Sequence, residues 1–162
     1  MIFKALILLK KNNIKLPRIL FLTQILDKKF YIELCKFIKT NNLKNSIFFY
    51  DNVPNNLTIK FYEKSFFSIN SSKIESFGFP SLESMRRNCP VILSNYKTFK
   101  EINKNAALYF QQNNIKQLSD CIKFLLKSKS KRNSLIKRGK IVTRQYTWKK
   151  TLNETLKIIS NF

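Results

Sequence analysis

The sequence predicts an α/β fold, a Rossmann-like parallel sheet flanked by helices, and three observations carry that expectation. Five short apolar segments recur along 162 residues, helical spacing fills most of the intervals, and no repeat or low-complexity linker divides the chain. Segments such as "SIFFYD" and "PVILS" are apolar at nearly every position rather than at alternate ones. Both of their faces therefore need burial, as in a parallel sheet covered on both sides. With 44% hydrophobic residues the chain can bury a core as a single domain, 1–162.

An apolar and basic helix opens the chain at about Ile2 to Lys11. Its run "ALILL" lies between Lys4 and Lys10, far short of the roughly 20 apolar residues a membrane span needs, and no small-residue cleavage site follows. A cytoplasmic protein is expected on those grounds. Pro17 precedes a first strand, "RILFLT" (Arg18 to Thr23). Asp27 is placed to cap a helix on which Phe30, Leu34, Phe37 and Ile38 recur at helical spacing. "SIFFYD" (Ser46 to Asp51) is a second strand, and the turn "NVPNN" leads to a short helix near Leu57 to Glu63. "SFFSIN" (Ser65 to Asn70) is a third strand, followed by a loop and a helix. "PVILS" (Pro90 to Ser94) and "AALYF" (Ala106 to Phe110) are the fourth and fifth. From Ile115 the spacing turns helical, with Leu118, Ile122, Leu125 and Leu126 on one face, and two further helices complete the chain.

A net charge of +22 attracts any anion: nucleic acid, nucleotide phosphates or an anionic lipid face. Yet the lysines, which outnumber arginines 25 to 6, are scattered along the chain, without the aromatic and basic interleaving of a known RNA motif. They read as a solvated surface, with no specific nucleic-acid partner. The charge is compatible with peripheral contact at the inner membrane face, although no segment demonstrates it. Cys35, Cys89 and Cys121 are widely spaced, and no histidine completes a zinc ligand set, so they read as reduced and structural. The lack of histidine also removes Ser/His and Cys/His nucleophile pairs.

Only two glycines and nine acidic residues exist in the chain, and "IESFGFPSLESM" (Ile74 to Met85) holds one glycine and two of the acids, Glu75 and Glu83. Gly78 can adopt backbone angles closed to other residues, and Pro80 suits the first turn of a helix. Such a helix would aim free N–H groups and its positive dipole end into the loop, a seat for phosphate. Glu83, one turn inside, could accept hydrogen bonds from sugar hydroxyls, with Glu75 on the other side of the ligand. The structural alternative is a glutamate stabilised by the dipole alone and a glycine that merely shapes a turn. Spacing leaves both open, although ligands in parallel sheets bind at the carboxyl ends of strands, where this stretch lies.

The longer stretch "SSKIESFGFPSLESMRRNCPVILSN" resembles the signature of the group 1 (family 4) GT-B glycosyltransferases. Ser72, Glu75, Phe77, Gly78, Pro80, Leu82, Glu83 and Met85 fall on that pattern in order, as do Pro90, Val91 and Ser94. "EINKNAALYF" and "YTWKKT" match later family segments, so the resemblance runs from Ile2 to Phe162. It implies the second, donor-binding domain of a GT-B fold and a nucleotide-sugar donor. By this likeness Glu75 is catalytic, contacting sugar hydroxyls and stabilising charge at the anomeric centre. The main chain of Ser76, Phe77, Gly78 and Phe79 faces the sugar and diphosphate, the amides of Ser81 and Leu82 stand at the helix start, and Glu83 holds the ribose. The base lies near Tyr50 to Val53. Transfer is retaining and needs no cofactor or metal, because the departing diphosphate activates a glycan or lipid-linked acceptor. Surface polysaccharide is the implied product class.

Ser76 and Asn88 stand where the family usually has glycine, and asparagine is the best substitute for a left-handed conformation. "FLTQ" (Phe21 to Gln24) replaces a glycine-containing strand end. The resemblance further implies a chain truncated at its start, lacking the domain's central first strand and an amino-terminal half that binds the acceptor. "RILFLT" and "SFFSIN" are then expected to flank a gap, and either pair directly or take a strand from an upstream polypeptide. The last helix, around Trp148 to Ile159, is expected to expose an apolar face. The alternative function is a catalytically silent nucleotide-sugar-binding remnant, or a partner subunit of a complete transferase.

Overall fold

The computed structural model describes residues 1–160, so the last two residues of the expected domain lie outside the described residues. The elements run α1 (Ile2–Lys11), β1 (Ile19–Thr23), α2 (Lys28–Thr40), β2 (Ile47–Asp51), α3 (Asn55–Lys64), β3 (Ser68–Asn70) and α4 (Phe79–Arg86). They continue with β4 (Val91–Ser94), α5 (Lys97–Asn103), β5 (Ala107–Phe110), α6 (Ile115–Lys127), α7 (Lys129–Thr143) and α8 (Trp148–Ile159). Each expected strand forms, trimmed by one to three residues at its start. Asp27 caps α2 as expected, its carboxylate accepting from the Phe30 amide at 2.9 Å. Helix α5 is an addition to the sequence reading.

All strand pairs are parallel, but the strands form two sheets: β1 with β2, and β3-β4-β5. β1 does not pair with β3, so the expected alternative of direct pairing is not what forms. One apolar cluster nevertheless spans both sheets. Ala5, Leu6 and Leu9 of α1 pack with Ile38, Ile47, Ile92, Phe110 and with Leu118, Ile122 and Leu125 of α6, while Ile19, Phe21 and Ile69 lean on the same cluster. The opposite face of the second sheet is covered by Leu82, Met85, Phe99, Ile102 and Val142. β4 serves both, because successive side chains point to opposite faces: Ile92 joins the first cluster, Val91 and Leu93 the second. On that second side α4 and α7 meet closely at Gly139, where a Cβ would stand 3.2 Å from Met85 Cβ.

Helix ends follow one recipe that a glycine-poor chain makes necessary. Asn13, Asn42 and Asn88 have φ of 56°, 53° and 59°, one residue past the C-caps of α1, α2 and α4. The next amide bonds back five residues in each case: Ile14 to Leu9, Leu43 to Ile38 and Cys89 to Ser84, all at 3.0 Å. This is the Schellman arrangement with asparagine in the glycine position and an apolar residue after it. The turn before Cys89 thus survives the Asn88 substitution that the sequence pattern flagged.

Among the described residues, no helix is long and apolar enough to cross a membrane. α8 has no buried residue, and Trp148 is 81% exposed with Leu152, Leu156 and Ile159 beside it on the solvent side. The expected apolar face is therefore uncovered. The three cysteines are free. Burial pushes the Cys89 thiol up to about 11, against the opposing pull of hydrogen bonds to Ser84 and Ser68.

Two measurements test this packing. Asn88→Gly is expected to leave stability unchanged or slightly higher in urea denaturation, whereas Asn88→Val lowers it by about 1–2 kcal/mol, the left-handed penalty for a residue with a branched Cβ. Because the folded Cys89 pKa lies above the unfolded value of 9.0, its contribution is intact below pH 9 and is lost as pH rises toward 11. The melting temperature of the wild type should therefore fall more steeply than that of Cys89→Ala between pH 9 and 11.

Candidate functional site

The stretch singled out in the sequence forms the connection from the carboxyl end of β3 into α4. Side-chain bonds hold its first half: Asn70 Oδ1 accepts from the Ser72 amide at 3.0 Å, Ser94 Oγ donates to the Ser72 carbonyl, and Gln112 Nε2 donates to the Lys73 carbonyl at 2.8 Å. The loop is thus tied to the chain at the ends of β4 and β5. Asn70 is the last residue of β3, so the strand itself starts the turn.

Gly78 ends the loop in the left-handed region, φ +87° and ψ 39°, as N-cap of α4. Two constraints make glycine necessary there. A Cβ would stand 2.8 Å from Phe99 Cε1 and 3.6 Å from Glu75 Cγ, and the φ is strained for any other residue. Glu75 is therefore folded against the glycine turn, its Oε1 accepting from the Ser76 amide at 3.2 Å. Among the described residues its carboxylate has no ion-pair partner, in a chain of net charge +22.

Ser81 and Leu82 stand in the first turn of α4. α4 begins at Phe79 rather than Pro80, so Pro80 occupies the second helical position and the Ser81 amide bonds the Gly78 carbonyl at 3.0 Å. The Ser81 hydroxyl shares its hydrogen between that carbonyl, at 2.7 Å, and Asn103 Oδ1, at 2.9 Å. Leu82 is buried in the core. Their side chains brace the turn from beneath. The amides of Phe77, Gly78, Phe79 and Leu82 have no protein acceptor among the described residues.

Phe77 and Phe79 carry the aromatic wall of the turn, with ring centroids 4.7 Å apart, and Phe77 meets the edge of Tyr146 at 5.8 Å. Arg86 Nη2 donates to the Tyr146 carbonyl at 3.3 Å, so the segment between α7 and α8 supports the loop. Ser76 is exposed, as is Glu83. Glu83 faces α3: after burial, its charge is the next cause that lifts the Tyr62 phenol to about 12. Glu75 and Glu83 thus take different positions about the helix start, one on the loop beside Gly78, the other on the α3 side of α4.

On the side expected to take a base, Asp51 Oδ1 accepts from the Ile25 amide at 2.9 Å and the Asn52 amide donates to the Thr23 carbonyl at 3.1 Å. These bonds lock together the connections leaving β1 and β2. Tyr50 packs on Phe61 of α3 at 5.0 Å. Phe99, Asn103 and Tyr146 support the site but escape sequence reasoning, since their relation to Gly78 and Ser81 is purely tertiary.

Comparison with known proteins adds the family. Residues 2–142 match the glycosyl transferases group 1. The O-antigen chain mannosyltransferase RfbU of Salmonella typhimurium is 35% identical over 81 residues, half of this chain, and the match spans 23% of that relative's length. Among solved structures, the C-terminal domain of the group 1 family protein LpcC from Francisella tularensis superposes with a TM-score of 0.73 and 23% identity, over 89% of this chain and 76% of that one. Anabaena HepE, solved in complex with UDP-glucose, gives a TM-score of 0.81 at 16% identity, over 98% of this chain and 44% of the other. These superpositions show the GT-B type of fold.

The glycine turn yields a test of its own. Gly78→Ala should lower stability by about 2 kcal/mol in urea denaturation, from left-handed strain and the clash with Phe99. Adding Phe99→Leu to that variant should recover part of the loss.

Proposed function

The chain belongs to the group 1 glycosyl transferases, and we propose that it serves as a donor-binding domain holding a nucleotide sugar at the Gly78 turn. The observation that carries this reading is the turn itself. A buried left-handed glycine heads α4, and among the described residues the amides of Phe77, Gly78 and Phe79 stand without acceptors and the Glu75 carboxylate beside them has no ion-pair partner. A diphosphate placed there would meet backbone donors and the positive end of the α4 dipole.

Within this reading Glu83 accepts hydrogen bonds from the ribose hydroxyls, which a carboxylate does with charge-assisted strength. Glu75 takes the sugar hydroxyls and opposes the positive charge that develops at the anomeric carbon. Ser76, exposed where the family usually has glycine, adds a side chain beside the sugar and bears on which sugar fits. Transfer with retention breaks the bond between the anomeric carbon and the diphosphate oxygen and forms one to the acceptor oxygen on the same face. The acceptor proton passes to the departing diphosphate. The protein's part is fixed charge and dipole at the leaving group rather than a nucleophile. The reading invokes no cofactor or metal. A hexose donor is supported by the mannosyltransferase named among the relatives and by the UDP-glucose held by HepE. The acceptor, a glycan or lipid-linked sugar at the cytoplasmic face of a membrane, would be held by the amino-terminal half of such a fold.

The solvent-exposed apolar face of α8 favours a second reading, a silent sugar-nucleotide-binding subunit that partners a complete transferase. Calorimetric titration of UDP-, GDP- and ADP-sugars tests the shared part. Saturable binding of one donor, weakened about 10- to 100-fold in Glu83→Ala, is the expected result, the size being that of one or two hydrogen bonds to a charged group. Salt-sensitive binding of any polyanion without donor preference would sink it. With an acceptor-binding half supplied, Glu75→Gln should retain donor binding and lose turnover by about 100-fold or more, comparable to deletion of an electrostatic catalytic contact. A wild type that binds donor but never turns over would select the silent subunit.

A further inference from the structure

We propose that the amino-terminal end of the second sheet carries a docking face for an anionic phospholipid bilayer, built from Phe66, Phe124 and the cations around them. The face lies at the opposite end of the strands from the Gly78 turn, and the reasoning is independent of the donor site.

The topology decides where these residues meet. Gln117 Oε1 accepts from the Gln111 amide at 2.7 Å, Cys121 Sγ lies 3.8 Å from the Tyr109 carbonyl, and Phe124 shares a surface hollow with Leu108. Each step forward along α6 is thus a step back along β5, and the last turn of α6 returns to the amino ends of the parallel strands. Phe66 stands at that same end, just ahead of β3. Arg132 of α7 joins the two: it donates to the carbonyls of Leu125 and Leu126, and its guanidinium carbon lies 4.9 Å from the centroid of the Phe66 ring. Beside it, Lys131 Nζ lies 5.9 Å from the centroid of the Phe124 ring. Both rings therefore carry a cation over one face.

Two attractions coincide here. The first is charge: the sequence from 121 to 153 holds eleven lysines and arginines and no acid, although acids are spread through the rest of the chain. Glu63, three residues before Phe66, is already paired with Arg87 at 3.6 Å. The second is apolar surface. Phe66 is 64% exposed and Phe124 48%, and Phe124 borders an open hollow of about 460 Å³ lined with Leu108, Cys121, Lys123 and Lys127, with Asp120 at its rim. That lining is almost wholly apolar, so the lysines contribute their methylene stems to it and hold their ammonium groups outward. Rings and a hollow that accept acyl chains, inside a border of cations that meet lipid phosphates, are the two signals stable attachment to a bilayer surface requires. A nucleic acid is the poorer match, because bases stack on ring faces that Lys131 and Arg132 partly occupy, and the hollow offers scarcely any polar surface to a base edge.

Vesicle flotation of the full chain tests the face, with vesicles of phosphatidylcholine alone and of phosphatidylcholine containing about one third phosphatidylglycerol. The wild type should float with the anionic vesicles and not with the neutral ones. Lys123→Gln with Lys127→Gln should weaken partitioning by about 10-fold or more, and Phe124→Ser by about 5-fold. The same charge loss at Lys28→Gln with Lys29→Gln, exposed on α2 at the carboxyl end of β1, should cost less than about 3-fold. In a second readout, Phe124→Trp should be quenched by brominated acyl chains more strongly than the native Trp148 of the wild type. Four results would overturn the proposal. Neutral vesicles bind equally well, or the α2 pair loses as much as the α6 pair, or Phe124→Ser binds like the wild type, or quenching is confined to Trp148, which would move the contact to α8. A single-stranded oligonucleotide that binds, and is lost in the α6 pair, while anionic vesicles do not bind would assign the face to nucleic acid and overturn it as well.

Discussion

Two sheets that share no hydrogen bond are held as one body by a single layer of side chains. α1 and α6 lie side by side over that layer, and Leu6, Leu9, Leu118, Ile122 and Leu125 are essentially solvent-free within it. A fully buried leucine or isoleucine is worth roughly 1.5–3 kcal/mol. This layer therefore substitutes for the ladder that ordinarily unites such a fold. The carboxyl ends of the strands take their relative position chiefly from it, with α3 as a smaller second bridge, since Phe61 packs on Tyr50 of β2 and Glu63 pairs with Arg87 at the end of α4.

The candidate site depends on a second, smaller contact. Phe99 fills the space where a side chain at position 78 would lie, and its carbonyl is itself fixed by Asn103 Nδ2 at 3.1 Å and by the Tyr109 hydroxyl at 3.2 Å. Asn103 also meets the Ser81 hydroxyl. The turn is thus built from beneath by α5 and β5, while the residues offered outward are main-chain amides and two carboxylates. Rigidity and chemistry are divided between separate sets of atoms, so the outward groups can be altered without loosening the turn.

Much of this was legible in the sequence, and the exceptions have physical reasons. Apolar runs at every position announce strands buried on both faces, which is why all five strands appear. The pairing of Gly78 with Glu75 and Glu83 stood out because glycine and acid are both scarce here. Helix α5 was missed because it has seven residues, no capping side chain at Tyr96 and only Phe99 and Ile102 as apolar markers. The bonding of the Ser81 amide was not readable, because it depends on a one-residue shift: a helix that starts at Phe79 puts that amide inside the hydrogen-bonded turn. Boundaries of this kind depend on tertiary contact, here the demand of Phe99 for a left-handed glycine just ahead. The division into two sheets was not readable from periodicity at all and entered only through the resemblance.

The asparagines at the helix ends carry a consequence for the denatured ensemble. Glycine in those three places would accept the left-handed angles without strain, yet it would also give the unfolded chain more conformations to lose. Asparagine has a Cβ and so narrows the disordered state, which offsets part of the penalty it suffers once folded. The net effect on the folding equilibrium is smaller than the native geometry alone suggests, and a protein with almost no glycine can end its helices sharply while keeping its random coil comparatively stiff.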